Sequence, residues 1–174
     1  MEPKFELRYH STLSVLVEFY RKIGMPFWLP MMILSGAYFL FYVVLSLLFW
    51  INDALPFSEM ILPVLPPAIL FAVIAFLPNW AAWNVMRQTK AQNGGVEAEV
   101  VVTVGDTIEF SKGISRSTIE FHRIIKVRRL KHSYVLMITR RSGILLRPDC
   151  FTKGSFEEFK QYLRQQCPNL FIPA

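Results

Sequence analysis

The sequence predicts an α+β membrane protein in which a two-helix transmembrane hairpin is inserted in a small antiparallel-sheet domain with a C-terminal amphipathic helix. Three observations carry this prediction. Two long stretches lack any acid or base, Phe27–Ile51 and Met60–Met86. Alternating apolar residues occur both before and after them. A capping signature followed by an apolar helical face closes the chain. The 174 residues are 53% hydrophobic and only 18% charged, which excludes a disordered chain.

The chain opens with Phe5, Leu7 and Tyr9 alternating with Lys4, Glu6 and Arg8, the pattern of a half-buried strand. Leu13, Leu16, Val17 and Tyr20 then recur at helical spacing, with Ser11 placed to cap the helix and Gly24 to end it. An isolated strand is not stable in water, so the opening strand must find its partner beyond the apolar stretches. The division expected is residues 1–24, a hairpin over 25–88 with helices at about 27–51 and 61–86, and a domain over 89–174.

The first apolar stretch, at 1.5 Å per residue, gives about 37 Å of helix, enough for a hydrocarbon core of about 30 Å. The short link from Asn52 to Glu59 makes the pair antiparallel. Pro26 and Pro30 fall at the start of the first helix and Pro63, Pro66 and Pro67 at the start of the second, where a missing N–H costs nothing. Pro78 lies deeper and removes the hydrogen bond to the Ile74 carbonyl. Trp28, Trp80 and Trp83 mark one membrane boundary and Trp50 the other. Ala68, Ala72 and Ala75, with Ser35, Gly36 and Ala37, are the small residues expected where the helices pack. Arg21, Lys22, Arg87 and Lys90 flank the pair, and the link has only Asp53 and Glu59, so both termini are expected in the cytoplasm. No charged residue lies within either stretch, which argues against an ion path or proton relay.

The second soluble part reads as a meander. Val96, Ala98, Val100, Val102 and Val104 share a face, and Gly105-Asp106 is placed for a tight turn. Ile108 with Phe110, Ile119 with Phe121, Ile125–Leu130, Tyr134–Thr139 and Ile144–Arg147 continue it, with Gly113 a break and Pro148 the end. Ser155 and Glu158 form a capping box ahead of Phe156, Phe159, Tyr162 and Leu163. One antiparallel sheet with one such helix is a small PH-like or roll-type domain.

In this order of elements the chain resembles the YcxB-like membrane proteins of bacteria. Their pattern of a Gly-Ile strand, an aromatic-x-x-Ile-x-x-Val segment, a step onto proline and a final helix has counterparts here. These are Gly113-Ile114, Phe121 to Val127, Arg147-Pro148 and Ser155 to Gln166. Phe121 stands where the aromatic is usually Trp, and Arg147 where an apolar residue usually precedes the proline. The resemblance implies a PH-like fold in the bacterial inner (plasma) membrane and brings no catalytic residue with it.

Chemistry-bearing motifs are sparse. Cys150 and Cys167 fall on the side expected to be cytoplasmic, where a structural disulfide is disfavoured. Cys150 with His122 or His132 lacks an orienting third group, and three scattered His make no metal-ligand set. No phosphate-loop, dinucleotide or nucleophile-elbow motif is present. The chain is therefore expected not to be an enzyme and to take no cofactor or metal. What stands out is charge: residues 87–174 have 15 Lys and Arg against 8 Asp and Glu. Arg123, Lys126, Arg128, Arg129 and Lys131 run together, and Arg140, Arg141 and Arg147 are placed on neighbouring strands. The expected role is a binding or regulatory module in which these residues meet anionic lipid heads or a protein partner. An immunity or accessory subunit of a larger membrane complex, acting through the hairpin, is the alternative, and a protein partner or a homo-oligomer is the association expected. Nucleic acid is not favoured, because the aromatics are not interleaved with the bases as a stacking platform requires.

Overall fold

The computed structural model of the chain describes residues 3–52, 56, 59 and 61–173. Asp53 of the link lies outside the described residues. The chain divides into two compact units, one of residues 1–24 with 82–174 and one of residues 25–81.

In the first unit, strand β1 (Phe5–His10) is flanked by β2 (Glu99–Val104) and β8 (Phe151–Lys153) in a five-stranded antiparallel sheet of order β4-β3-β2-β1-β8. The opening strand thus finds both partners on the far side of the apolar stretches. It pairs with β2 from Phe5↔Val104 to His10↔Glu99. Alternation does what the period of two requires: Phe5, Leu7 and Tyr9 are buried, as are Val100, Val102 and Val104 opposite them. Strands β3 (Ile108–Lys112) and β4 (Ser115–Ile119) complete the sheet. Their connection is the two-residue turn Gly113-Ile114, with Gly113 in the left-handed region at φ 58°. The β2–β3 connection at Gly105-Asp106-Thr107 has three residues, so the tight turn sits one hairpin later than expected.

The meander does not continue as one sheet. After Ile119 the chain makes a 3₁₀ turn, Phe121–Arg123, and starts a second antiparallel sheet of order β5-β6-β7. Its strands are β5 (Lys126–Arg129), β6 (Tyr134–Met137) and β7 (Gly143–Leu146). The turn has a packing cause: Phe121, Ile124 and Val127, spaced by three, all insert into the main core. Strand spacing would send Phe121 and Ile124 to opposite faces. That core lies between the sheets and is closed by the C-terminal helix, whose Phe159 and Leu163 are 1% exposed. The helix spans Phe156–Gln166 and starts at the expected capping box: Ser155 Oγ accepts from the Glu158 N–H, and Glu158 accepts from the Ser155 N–H. Strand β8, only three residues long and just past Pro148, was not expected.

Strand β6 is buried on both faces. Tyr134 and Leu136 face the main core, while Val135 and Met137 join Leu130 and Ile23 in a second cluster. Ile23 belongs to a π-helical turn, Tyr20–Gly24, that extends α1 (Leu13–Phe19). The expected apolar face of α1 is only half-buried, and the turn beyond it does the covering. Hydrogen bonds fix this cover. Glu18 accepts from Lys22 Nζ at 2.8 Å and from the Lys131 backbone N–H at 2.7 Å. Partial burial alone would raise the Glu18 carboxyl, but these two bonds outweigh it and hold the group below the ordinary glutamate range.

The second unit is built on α2 (Trp28–Ile51) and most of α3 (Leu65–Gln92). Helix α3 starts later and ends later than the expected 61–86. Pro66 and Pro67 occupy its first turn, and it stops where Gly94 takes φ 65° and the Gly95 N–H bonds back to the Lys90 carbonyl at 2.8 Å. Both helices are long and apolar enough to cross a membrane, and only 11% and 17% of their apolar windows are buried. Among the covered positions one seam runs along each helix: Trp28, Met32, Ser35, Phe39, Tyr42 and Ser46 on α2, and Val64, just ahead of α3, with Pro67, Phe71, Ile74 and Pro78 on it. Both follow the alternating three-and-four spacing of an intertwined helix pair. Gly36 leaves room for the Phe71 ring, which stacks on Phe39. Ala72, expected at the seam, is off this repeat and exposed.

Pro78 has a specific consequence. It has no N–H for the Ile74 carbonyl, and the Trp28 indole Nε1–H donates to that carbonyl instead, at 2.7 Å. Trp28, expected to serve a headgroup boundary, uses its one donor to join the two helices.

Two predictions follow from these contacts. Trp28→Phe leaves the Ile74 carbonyl unpaired and should lower stability by about 0.5–1.5 kcal/mol. In a Pro78→Ala background the loss should shrink, because residue 78 now supplies the N–H; a double-mutant cycle of melts in detergent measures this. For Glu18, a folded pKa below the unfolded value of about 4.3 means stability present above that value and lost as pH falls through the folded one. Melting temperature should therefore fall more steeply from about pH 5 to pH 3 in the wild type than in Glu18→Gln, and parallel curves would exclude the bridge.

Candidate functional site

The basic run was expected along β5, and the register of that strand decides where each side chain goes. Lys126 pairs with Met137 and Arg128 with Val135, on the face covered by the π-turn. Val127 pairs with Leu136 and Arg129 with Tyr134, on the face toward the main core. The strand's basic residues are therefore divided between two faces, and six of the seven expected residues between the two ends of the sheet. Along β5 the ends lie about 10 Å apart, from the rise per residue.

At the β6–β7 end stand Arg123, Lys126, Arg140 and Arg141, all exposed. Arg123 ends the 3₁₀ turn, and Arg140 and Arg141 lie in the bend after β6, which Thr139 and Ser142 hold through a 2.7 Å hydroxyl contact. None of the four side chains takes part in an ion pair or hydrogen bond among the described residues. Ile125 lies in their midst, 64% exposed, while its N–H is fixed on the Met137 carbonyl at 2.8 Å. The ladder thus turns an apolar side chain outward within a cationic rim.

At the β5–β6 end, Arg129 and Lys131 meet His132, Ser133, Arg147 and the first turn of the C-terminal helix around a groove of about 500 Å³. Asp149 and Glu157 also line it, each held by a cation: Arg147 Nη2 donates to Asp149 at 2.7 Å, and Lys160 pairs with Glu157 at 2.7 Å. The Arg147 guanidinium in turn holds the Asp149 carboxyl below the ordinary aspartate range. Two buried polar atoms here lack any partner, Ser133 Oγ and Arg147 Nε.

Arg128, between the two ends, has a structural role: its guanidinium donates to the Lys22 carbonyl at 3.2 Å and so ties the π-turn to the sheet. Ser133, His132 and Ile125 were not among the expected binding residues. Nothing in a turn sequence marks a buried hydroxyl, and alternation alone assigns Ile125 to a core face.

The thiols take a structural part. Burial pushes Cys150 and Cys167 up from the ordinary cysteine range, which disfavours the thiolate a nucleophile needs. Cys167 Sγ donates to the Phe121 carbonyl at 3.5 Å. Tyr9 is likewise raised well above the ordinary tyrosine range by burial, and its hydroxyl bonds the Leu145 carbonyl at 2.7 Å, linking the two sheets. Among the described residues no three His, Cys, Asp or Glu gather so as to hold a metal ion.

Both basic ends fall within the part of the chain that matches a known family. No curated protein and no solved structure matches the chain. The family model described as YcxB-like protein matches residues 105–163. The matched residues include Phe121, Ile124 and Val127, which insert into the main core from the 3₁₀ turn onward, and most of the helix that closes that core. Over residues 105–163, from the β2–β3 turn into the C-terminal helix, the chain is similar to the YcxB-like family.

Proposed function

We propose that the chain is a two-span protein of the bacterial inner membrane, with both ends cytoplasmic, whose PH-like domain is a non-enzymatic module that binds anionic lipid headgroups. The observation that carries this reading is the exposed Ile125 set among the unpartnered Arg123, Lys126, Arg140 and Arg141. Cations suit the phosphate layer of a bilayer and an outward apolar side chain suits the boundary beneath it. Two further features support it. The apolar helices leave most of their surface uncovered, as a lipid-facing pair would. Both ends of the pair also run into one folded unit, which keeps strand β1 and strand β2 on one side of any membrane the pair crosses. Arg21, Lys22, Arg87 and Lys90 at those ends agree with a cytoplasmic side.

The full chain held in nanodiscs of neutral lipid should sediment with vesicles that contain phosphatidylglycerol and stay in solution with neutral ones. Each cation near a charged surface is worth about 1 kcal/mol, so Arg140→Ala with Arg141→Ala should weaken this about thirty-fold. Added salt should weaken it too, since exposed charges are screened. Vesicle binding that neither the double variant nor salt changes would exclude the proposal.

A further inference from the structure

We infer that the groove at the β5–β6 end of the three-stranded sheet is a discrete binding site for a phosphomonoester, whether a soluble phosphate or the monoester head of a lipid. The inference rests on the reading of the domain as an anion-binding module and adds a second, built pocket, separate from the exposed rim around Ile125.

The groove, about 500 Å³, is of a size that takes a small ligand. Its donors converge from three elements. Arg129 comes from β5, Lys131 and Ser133 from the following turn, and Arg147 from the end of β7. Ser133 lines the groove although it is only 2% exposed, and its hydroxyl has no partner. A buried hydroxyl without a partner is costly, as is the equally unpartnered Nε of Arg147 beside it. Neither atom has accessible surface as it stands, so an acceptor seated in the groove would pair with them once the two side chains turn toward it. The C-terminal helix contributes its first turn, where the N–H groups of Phe156 and Glu157 have no acceptor within the helix and the dipole favours negative charge.

The same donor set selects among anions. A phosphomonoester brings three acceptor oxygens and nearly two negative charges, matching several donors at once. A carboxylate or a lipid phosphodiester has two free oxygens and a single charge, and leaves donors unmet. The two acids do not close the site. Glu157 is held by Lys160, and Asp149, with its side chain 60% exposed, occupies only the Nη2 of Arg147. Asp149 then acts as a competitor that an incoming phosphate displaces from the guanidinium.

The test is thermal unfolding of the full chain in neutral nanodiscs, titrated with inorganic phosphate against chloride at equal ionic strength. Phosphate should raise the midpoint by mass action. Lys131→Ala and Ser133→Ala should each weaken the apparent affinity about tenfold, the scale of one hydrogen bond to a charged group. Asp149→Asn should strengthen it, an outcome that a purely structural Arg147–Asp149 pair would not give. Arg140→Ala with Arg141→Ala should lose vesicle binding and keep the phosphate response, so the two sites fail separately. Phosphatidic acid in the nanodisc that suppresses the response to free phosphate identifies a lipid source; an unchanged response identifies a soluble one. No phosphate effect beyond chloride, or an equal effect in Lys131→Ala and Ser133→Ala, would overturn the inference.

Discussion

The structure depends on one backbone ladder. Strand β1 is an inner strand of the larger sheet, bonded to β2 on one side and β8 on the other, and both partners follow the apolar helices in sequence. Its Leu7 is fully buried, and Phe5 packs on Phe159 and Tyr162 of the closing helix. Removal of β1 would open the sheet at its middle and strip the core of three large side chains. The domain is therefore discontinuous by construction, and the helix pair is a loop of it in the topological sense.

The second sheet is positioned by different means. The 3₁₀ turn at Phe121 redirects the chain, Tyr9 bonds across to the Leu145 carbonyl, and the π-turn at Ile23 seals the far face. The consequence is that β6 is buried on both faces, and among the described residues the exposed side chains of this sheet lie on β5 and at its two ends. Six of the seven basic residues expected to bind lie at those ends. Strand register, and not the number of basic residues, separates the exposed rim from the groove.

Much of the fold is legible in the residues because alternation and capping are local signals. Phe5, Leu7 and Tyr9 announce a strand with one wet face, and Ser155 with Glu158 announces a helix start. The break into two sheets was hidden because Phe121 and Ile124 read as strand residues until their spacing of three is seen to point both inward. Strand β8 was hidden by its length and by Pro148 just before it. The helix seam shows no hydrophobic stripe; Ser35, Gly36, Ala68 and Ala75, expected where the helices pack, are covered, whereas Ala37 and Ala72 are exposed and Ser46 was not foreseen. For the candidate sites, the residue types were legible and their grouping was not. A cluster defined by sheet ends needs the pairing of Lys126 with Met137 and of Arg129 with Tyr134, which only the register supplies.

The inner position of β1 has a consequence for biosynthesis. The ribosome makes this strand ahead of both apolar helices, yet its earliest partner, β2, starts at Glu99. At about 5–20 residues per second, β1 waits roughly 5–20 s before a neighbour exists. In that interval both apolar helices are made while an unpaired strand with one apolar face waits ahead of them. Synthesis of both apolar helices thus precedes closure of the sheet, and whatever shields β1 during the delay becomes part of how the domain is made.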